Sequence, residues 1–291
     1  MTTRVMNDMR ILKDNKILSI LRCPICGNGM SVPEGKASLV CGGERKHCYD
    51  FASSGYVNLC SPMQSGGGDS KQAVRARSEF LDKGHYRPVA EELARMAVKY
   101  GKCDDVLLDA GCGEGYYSSF ICDAGFSVIG ADLSKFAVDA ASKRLARINR
   151  DNFLFTTASV FALPVTDGSV GIVTNVFAPC AEDEYSRVLK KDGVLIVAWA
   201  GENHLMGLKR AIYNTANANT ERADLPVYMK KIEEIRVSYT IDLTDNGEIK
   251  SLFAMTPYYW RTSVADMEKL KELDFLTTEV DIIISVYKKD N

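Results

Sequence analysis

No apolar run in the 291 residues approaches the roughly 18 positions that a helix needs to cross a bilayer. Residues 1–14 are polar and charged and lack the apolar centre of a secretion signal. Together these absences predict a cytoplasmic protein with no membrane partner. A surplus of positive charge is missing as well: 36 Lys and Arg against 38 Asp and Glu give a net charge of −2, so composition alone does not announce a nucleic-acid binder. Two local runs form basic faces if they are helical. Lys71, Arg75, Arg77, Lys83 and Arg87 make the first, and Lys143, Arg144, Arg147 and Arg150 the second. An ordinary solvated helix face accounts for each equally well. Internal repeats and long low-complexity tracts are absent too. What remains is an average globular composition, 46% hydrophobic and 25% charged, long enough for one large domain with a smaller companion.

Against that background the cysteines stand out. Nine of them without an export signal argue against a disulfide framework, because a reducing compartment leaves thiols free for metal or for burial. Five (Cys23, Cys26, Cys41, Cys48 and Cys60) fall within the first sixty residues. Cys23 and Cys26, followed by Gly27, form one half of a zinc knuckle, in which a tight turn lets two thiolates converge on one ion. After fourteen intervening residues, Cys41 opens a second half, CGGERKHC. It offers His47 or Cys48 as the fourth ligand, and spacing does not choose between them. Cys60, Cys103, Cys112, Cys122 and Cys180 have no such partners and read as packing residues.

Composition divides the chain into three. Residues 17–60 read as a small metal-stapled module, too short to build a core alone. Residues 61–70, SPMQSGGGDS, read as a linker. From 71 to 291, strand-like and helix-like runs alternate, the pattern of an α/β domain with a parallel sheet and helices on both faces. Helical spacing covers 87–100, 116–124 and 136–148. Strands are expected at 106–110, 127–132, 152–157, 170–175 and 194–199, the last introduced by a KKDG turn at 190–193. Residues 200–235 look helical, and 237–243 with 280–287 look like late strands, an antiparallel edge pair.

The most constraining segment is VLLDAGCGEGYY at 106–117. A buried strand that stops in a glycine loop brings backbone N–H groups close to a ligand, and absent side chains leave room for it. Gly111, Gly113 and Gly115 supply the loop, and Tyr116 opens the next helix. Asp132 follows Gly111 by 21 positions at the end of the second strand, where a carboxylate can accept two hydrogen bonds from ribose hydroxyls. Dinucleotides and S-adenosylmethionine share this arrangement. Asp109 and Glu114 tilt it to the second, because a carboxylate repels a pyrophosphate and attracts a cationic amino group. Asp167 and Leu163-Pro164 follow the third strand, where the adenine is expected. Residues 175–180, NVFAPC, leave the fourth strand on the side where a methyl acceptor should enter.

The knuckle, HCYDFASSGYVNL (47–59), RARSEFLDKGHYRPV (75–89), LDAGCGEGYY (108–117), FAPC (177–180), HLMGLKRAIY (204–213) and MTPYYW (255–260) together resemble the bacterial 23S rRNA (guanine-N1)-methyltransferases over roughly residues 20–288. The resemblance implies a Rossmann-like class I methyltransferase domain with a small N-terminal zinc-binding, RNA-recognition module. It also implies a homodimer gripping a 23S rRNA hairpin, with S-adenosylmethionine and zinc as cofactors. By position, Tyr86, Glu114, Gly115 and His204 match the family's contacts to the methyl donor. The zinc ligands map to Cys23, Cys26, Cys41 and, through an H-x-[FY]-D pattern, His47. The spacing from Cys41 to His47 is longer than the family's usual C-x3-H, which keeps Cys48 as the alternative, and about twenty extra residues precede the knuckle. Tyr258, Tyr259 and Trp260 form an aromatic run able to stack on a splayed base. No general base is identifiable. The competing expectations are a methyltransferase acting on a small metabolite, and a non-catalytic donor-binding protein that binds rRNA without modifying it.

Overall fold

The computed structural model describes residues 10–60, 67–220, 225–259 and 262–289. Residues 61–66 of the expected linker and Trp260 of the aromatic run lie outside them. The elements begin with α1 (Asn15–Ile20), β1 (Met30–Ser31), β2 (Ser38–Cys41), β3 (Cys48–Asp50) and β4 (Val57–Asn58). Next come α2 (Lys71–Leu81), α3 (Arg87–Tyr100), β5 (Val106–Ala110), α4 (Tyr116–Asp123), β6 (Ser127–Asp132), α5 (Lys135–Arg147) and β7 (Phe153–Thr157). The chain continues through β8 (Val170–Val176), α6 (Glu182–Val188), β9 (Leu189–Ala200), α7 (Met206–Ile212), β10 (Met229–Leu243), α8 (Asn246–Ala254), α9 (Val264–Lys269) and β11 (Leu276–Lys289).

Eight strands form one sheet in the order β10-β11-β9-β8-β5-β6-β7-β4. It is parallel from β9 through to β4, and β11 runs antiparallel to both β9 and β10. Every residue of β5, β7 and β8 is buried, as expected of strands covered on both faces. The strand order reverses at β5, with β6 on one side and β8 on the other. Ligands bind open α/β sheets at that point, beyond the carboxyl ends of the strands.

Local sequence accounts for most of these elements. In α3, Val89, Leu93, Met96 and Ala97 repeat at helical spacing and are fully buried, while Pro88 suits the first turn. Gly101 ends that helix where a Cβ would lie 2.5 Å from Ile172 Cδ1. Ser134 caps α5 by accepting from the Ala137 N–H.

Two expectations change. Residues 229–235 belong to the edge strand β10 rather than to a helix. Their lysines and glutamates favour a helix locally, but pairing with β11 along fourteen positions overrides that preference. The KKDG segment is a bulge inside β9 and not a preceding turn. Val170 pairs with Leu189 and Ile172 with Val194, so four residues on β9 oppose Gly171 alone. Lys190 anchors the bulge to Asp105 at 2.6 Å.

The two faces of the sheet are covered differently. Helices α2, α3, α4, α5, α7 and α8 pack on one face, burying Phe80, Leu93, Ile121, Leu145, Leu208 and Leu252. On the other face, the N-terminal segment does much of the work that helices were expected to do. Leu12, Ile17, Leu21, Leu39, Phe51 and Val57 share one apolar cluster with Leu108, Ile129, Leu154 and Val165, completed by Tyr185 and Val188 of α6. The small antiparallel sheet β1-β2-β3 stands beside this layer, and β4 adds the eighth strand to the main sheet through β7.

Candidate active site and Cys-His cluster

The loop after β5 folds back on β6: the N–H groups of Gly111 and Cys112 both donate to the Ala131 carbonyl, at 2.8 and 3.1 Å. Gly111 (φ 85°), Gly113 (φ 52°) and Gly115 (φ 74°) all lie in the left-handed region, where a side chain is strained. Two of them also permit close packing, because a Cβ on Gly111 would lie 2.3 Å from Ala178 Cβ and one on Gly115 2.8 Å from Ala141 Cβ. The loop from β8 therefore abuts the glycine loop at the switch point.

Asp132 shapes this loop from β6. Its two oxygens accept from the N–H groups of Gly113 (3.1 Å) and Ser134 (2.8 Å), and a carboxylate so engaged retains lone pairs for further donors. Burial raises its pKa, against the pull of those two N–H groups. Asp109 lies beneath the loop, fully buried, accepting from the hydroxyls of Ser118 and Thr174 (the latter at 3.0 Å). Desolvation pushes its carboxyl up to about 6, even though both hydroxyls favour the charged form.

Glu114 is buried in an ion pair with Arg77 of α2, whose guanidinium reaches its carboxylate at 2.5 Å and that of Asp69 at 2.5 Å. That guanidinium also lies 3.4 Å from where a Cβ on Gly113 would stand, so α2 covers the loop. Tyr116 contributes the first turn of α4, but its ring is buried against Tyr117 and Phe120 with the Arg144 guanidinium above it. Ordinary ion pairing takes up most of the two basic runs. Arg75, Lys83 and Arg87 pair with Glu79, Glu248 and Glu91, and Lys143, Arg144 and Arg150 with Asp139, Asp82 and Asp123.

Tyr86 and His204 meet although 118 positions separate them, Tyr86 Oη lying 3.2 Å from His204 Nε2. The backbone N–H of Asp281 donates to His204 Nδ1 at 3.2 Å, which assigns the imidazole proton to Nε2. His204 then donates to Tyr86 and leaves the tyrosine hydroxyl proton free to point elsewhere. Burial lowers the His204 pKa to about 4, so the ring is neutral at physiological pH. Asp281 is itself held by a bidentate pair with Arg236, at 2.6 and 2.7 Å. Phe177, in the loop after β8, lies nearly parallel to the His204 ring at 6.2 Å.

On the expected adenine side, Asp167 is engaged in ion pairs. That carboxylate points to Arg187 (2.6 Å) and Arg22 (3.2 Å), and the Arg22 N–H donates to the Pro164 carbonyl. Residues 163–167 thus dock the N-terminal segment onto the sheet, because Leu21 bridges Val165 in the shared apolar layer.

In the N-terminal module, Cys23, Cys26, Cys41 and His47 place one sulfur or nitrogen each within 4.8 Å of all the others. Cys26 Sγ and Cys41 Sγ are 3.8 Å apart, and His47 Nδ1 lies 3.5 Å from both Cys23 Sγ and Cys41 Sγ. Those separations match the edges of a tetrahedron built on zinc bond lengths, about 3.8 Å between sulfurs and about 3.5 Å from sulfur to nitrogen. Cys48 is exposed in β3 and stands outside the cluster. The His47 N–H donates to Cys41 Sγ at 3.1 Å, and Tyr49 Oη lies 3.3 Å from Cys23 Sγ, positioned to support thiolates.

Sequence reasoning missed the pairing of Arg77 with Glu114 and the support of His204 by Asp281. Arg77 lies inside a stretch singled out for its resemblance, but nothing local marks a partner 37 positions away.

The glycine loop, the acid ending β6 and a sheet with an antiparallel β11 between β9 and the edge strand β10 define a class I methyltransferase, and residues 107–193 match the family model described as a methyltransferase domain. The relatedness extends well beyond that segment. The chain is 30% identical over 285 residues, covering 92% of it and 97% of the relative, to a Bacillus subtilis (strain 168) protein named "Putative 23S rRNA (guanine-N(1)-)-methyltransferase YxjB". It is 30% identical to the 23S rRNA (guanine(748)-N(1))-methyltransferase of Streptomyces fradiae, over 84% of this chain and 87% of that one. A Micromonospora griseorubida relative with the first of these names, without its final symbol, is 29% identical over 86% of this chain and 90% of its own length. The chain belongs to the 23S rRNA (guanine-N1)-methyltransferase family.

Proposed function

We propose that this protein transfers the methyl group of S-adenosylmethionine to N1 of a guanine in a hairpin loop of 23S rRNA. The observation that carries the reading is relatedness to guanine-N1 methyltransferases along nearly the whole chain, knuckle included, together with a glycine loop lined by Asp109 and Asp132 at the switch point. The donor supplies an electrophilic methyl on a sulfonium, whose sulfide leaves without needing a proton.

The chain's residues divide the remaining work. Asp132 offers its unused lone pairs to ribose hydroxyls, and buried Asp109 places negative charge beneath the donor's ammonium. Tyr86, already accepting from His204, turns its own hydroxyl proton toward the donor's methionine end. Gly111, Gly113 and Gly115 keep the loop open, and Glu114 with Arg77 fixes its outer side. Positioning of the two reactants then provides most of the acceleration. Because N1 is hidden in a base pair, the target guanine is unpaired or flipped, which suits a loop.

Within residues 17–60, the knuckle and the β1-β2-β3 sheet serve as the RNA-recognition module, with Cys23, Cys26, Cys41 and His47 holding a structural zinc ion, while α1 and β4 pack against the main sheet. Residues 71–291 carry the catalytic chemistry. A homodimer acting in the cytoplasm completes the reading, in keeping with the absence of any helix long and apolar enough to cross a membrane among the described residues.

The test is single-turnover transfer of labelled methyl to 23S rRNA purified from a strain lacking the gene, followed by primer extension. A methyl on guanine N1 blocks the pairing edge, so one new stop is expected, and yield should fall steeply with salt. Label on a small metabolite with no salt dependence, or rRNA binding without transfer, would overturn the reading.

A further inference from the structure

Phe177 is a large apolar residue in a conformation such residues avoid. Its φ is 54°, in the left-handed region, and 47% of its surface is exposed. Neither burial nor backbone preference explains its presence, and strained residues of this kind collect at functional sites. Leu205, next to His204, is also left-handed at φ 58°, so two of the three non-glycine residues with positive φ among those described flank one imidazole.

The surroundings hold Phe177 in place. Its N–H donates to the Ala198 carbonyl at 3.1 Å. Asn175 Nδ2 donates to the Pro179 carbonyl and to Tyr185 Oη, both at 2.9 Å, and Tyr185 Oη donates to the same carbonyl at 3.1 Å. Ala178 is wedged against Gly111. The ring lies nearly parallel to that of His204, interplanar angle 18°, with centroids 6.2 Å apart and so laterally offset, and His204 is fixed in turn by Tyr86 and the Asp281 N–H.

We infer that Phe177 is the stacking platform for the acceptor guanine, its exposed surface receiving the base beside the donor's methyl with His204 alongside. This rests on the function proposed above and names the residue that seats its substrate. A purine splayed from an RNA loop presents its π-face to such a ring, and a ring carried on a fixed loop backbone sets where N1 meets the methyl group. A fixed loop justifies the strained backbone, since a relaxed loop would let the attachment point of the ring drift.

The experiment compares the full-length wild-type protein with Phe177→Ala, Phe177→Trp and Phe177→Gly, using unmethylated 23S rRNA and labelled S-adenosylmethionine, with donor affinity measured separately by calorimetry. Phe177→Ala should lower kcat/KM for rRNA about 10- to 100-fold, the range of one base–aromatic stack, with donor affinity unchanged. Phe177→Trp should restore most of the loss. Phe177→Gly should lose as much activity as the alanine variant while melting no lower than it, because glycine accepts the left-handed backbone. Unchanged rRNA kinetics in Phe177→Ala would overturn the platform, and so would a loss matched by weakened donor binding, which would assign the ring to the donor. No transfer to rRNA by the wild-type protein would overturn the proposed function and the platform with it, whereas full transfer by both wild type and Phe177→Ala would overturn the platform alone.

Discussion

The Cys-His cluster and the glycine-loop site are both candidate ligand sites, but they are assembled on different scales. The cluster draws four residues from positions 23 to 47 and brings them to tetrahedral spacing through one turn and one short antiparallel sheet. The pocket gathers Tyr86, Asp109, Asp132, Phe177 and His204 from five segments that meet only because β5, β6, β8 and β9 end on the same side of a sheet. Their energetics differ in sign as well. A metal bound at the cluster would add folding free energy to a segment with little core of its own, whereas the buried acids of the glycine-loop site cost the fold something that a cationic ligand would offset. A site closed by its own metal can be written in local spacing; a site for an exchanging substrate needs the whole sheet.

Breaking the cluster should have the largest effect. Cys23→Ser combined with Cys26→Ser is expected to abolish zinc content, read by elemental analysis, and to abolish rRNA methylation, with donor affinity intact. Because Cys23 and Cys41 lie in the apolar layer that also holds Leu108 and Leu154, the melting temperature should fall too. Full rRNA activity without metal would erase the proposed division of labour.

Next comes Asp132→Ala, which should weaken donor binding by at least about 100-fold by calorimetry, the low end of what two hydrogen bonds to a charged acceptor are worth. Asp132→Asn serves as a control for loop shape, since it keeps the side chain's size and its capacity to accept from Gly113 or Ser134. Unchanged affinity in the alanine variant would remove Asp132 from the ribose.

The smallest effect is the most diagnostic of the pocket. The Asp109 pKa is raised to about 6 in the folded chain, so its contribution to stability is highest near and below the ordinary value of 3.8 and is lost as pH rises through about 6. Binding of a cationic donor runs the other way, because it favours the carboxylate. Donor affinity should therefore rise about tenfold from about pH 5 to about pH 7, and Asp109→Asn should flatten that rise. A rise of equal size in the variant would place its origin elsewhere.

Much of the fold was legible because the signals are local. The buried run at 106–110 and the apolar spacing of 87–100 are strand and helix over those same bounds. Residues 229–235 were not, since a charged edge strand and a charged helix look alike until a partner strand is present. The same limit applied to chemistry. Spacing proposed Cys23, Cys26 and Cys41 but left His47 and Cys48 open, and the geometry of β3 brings only His47 into the cluster. Glu114 was expected to carry charge toward the donor, and its partnership with Arg77 could not be seen from either residue's neighbours.

By itself the sequence determined the family, the glycine loop, the acid that ends the second strand and the three thiols of the knuckle, because each depends on residues a few positions apart or on motifs in a fixed order. Tertiary structure decided which acids are spoken for, how His204 receives its tautomer, that the N-terminal segment covers one face of the sheet, and that Phe177 is held open beside Gly111. Those outcomes depend on contacts across tens to hundreds of positions, and strand order, which no local pattern encodes, is what brings them together.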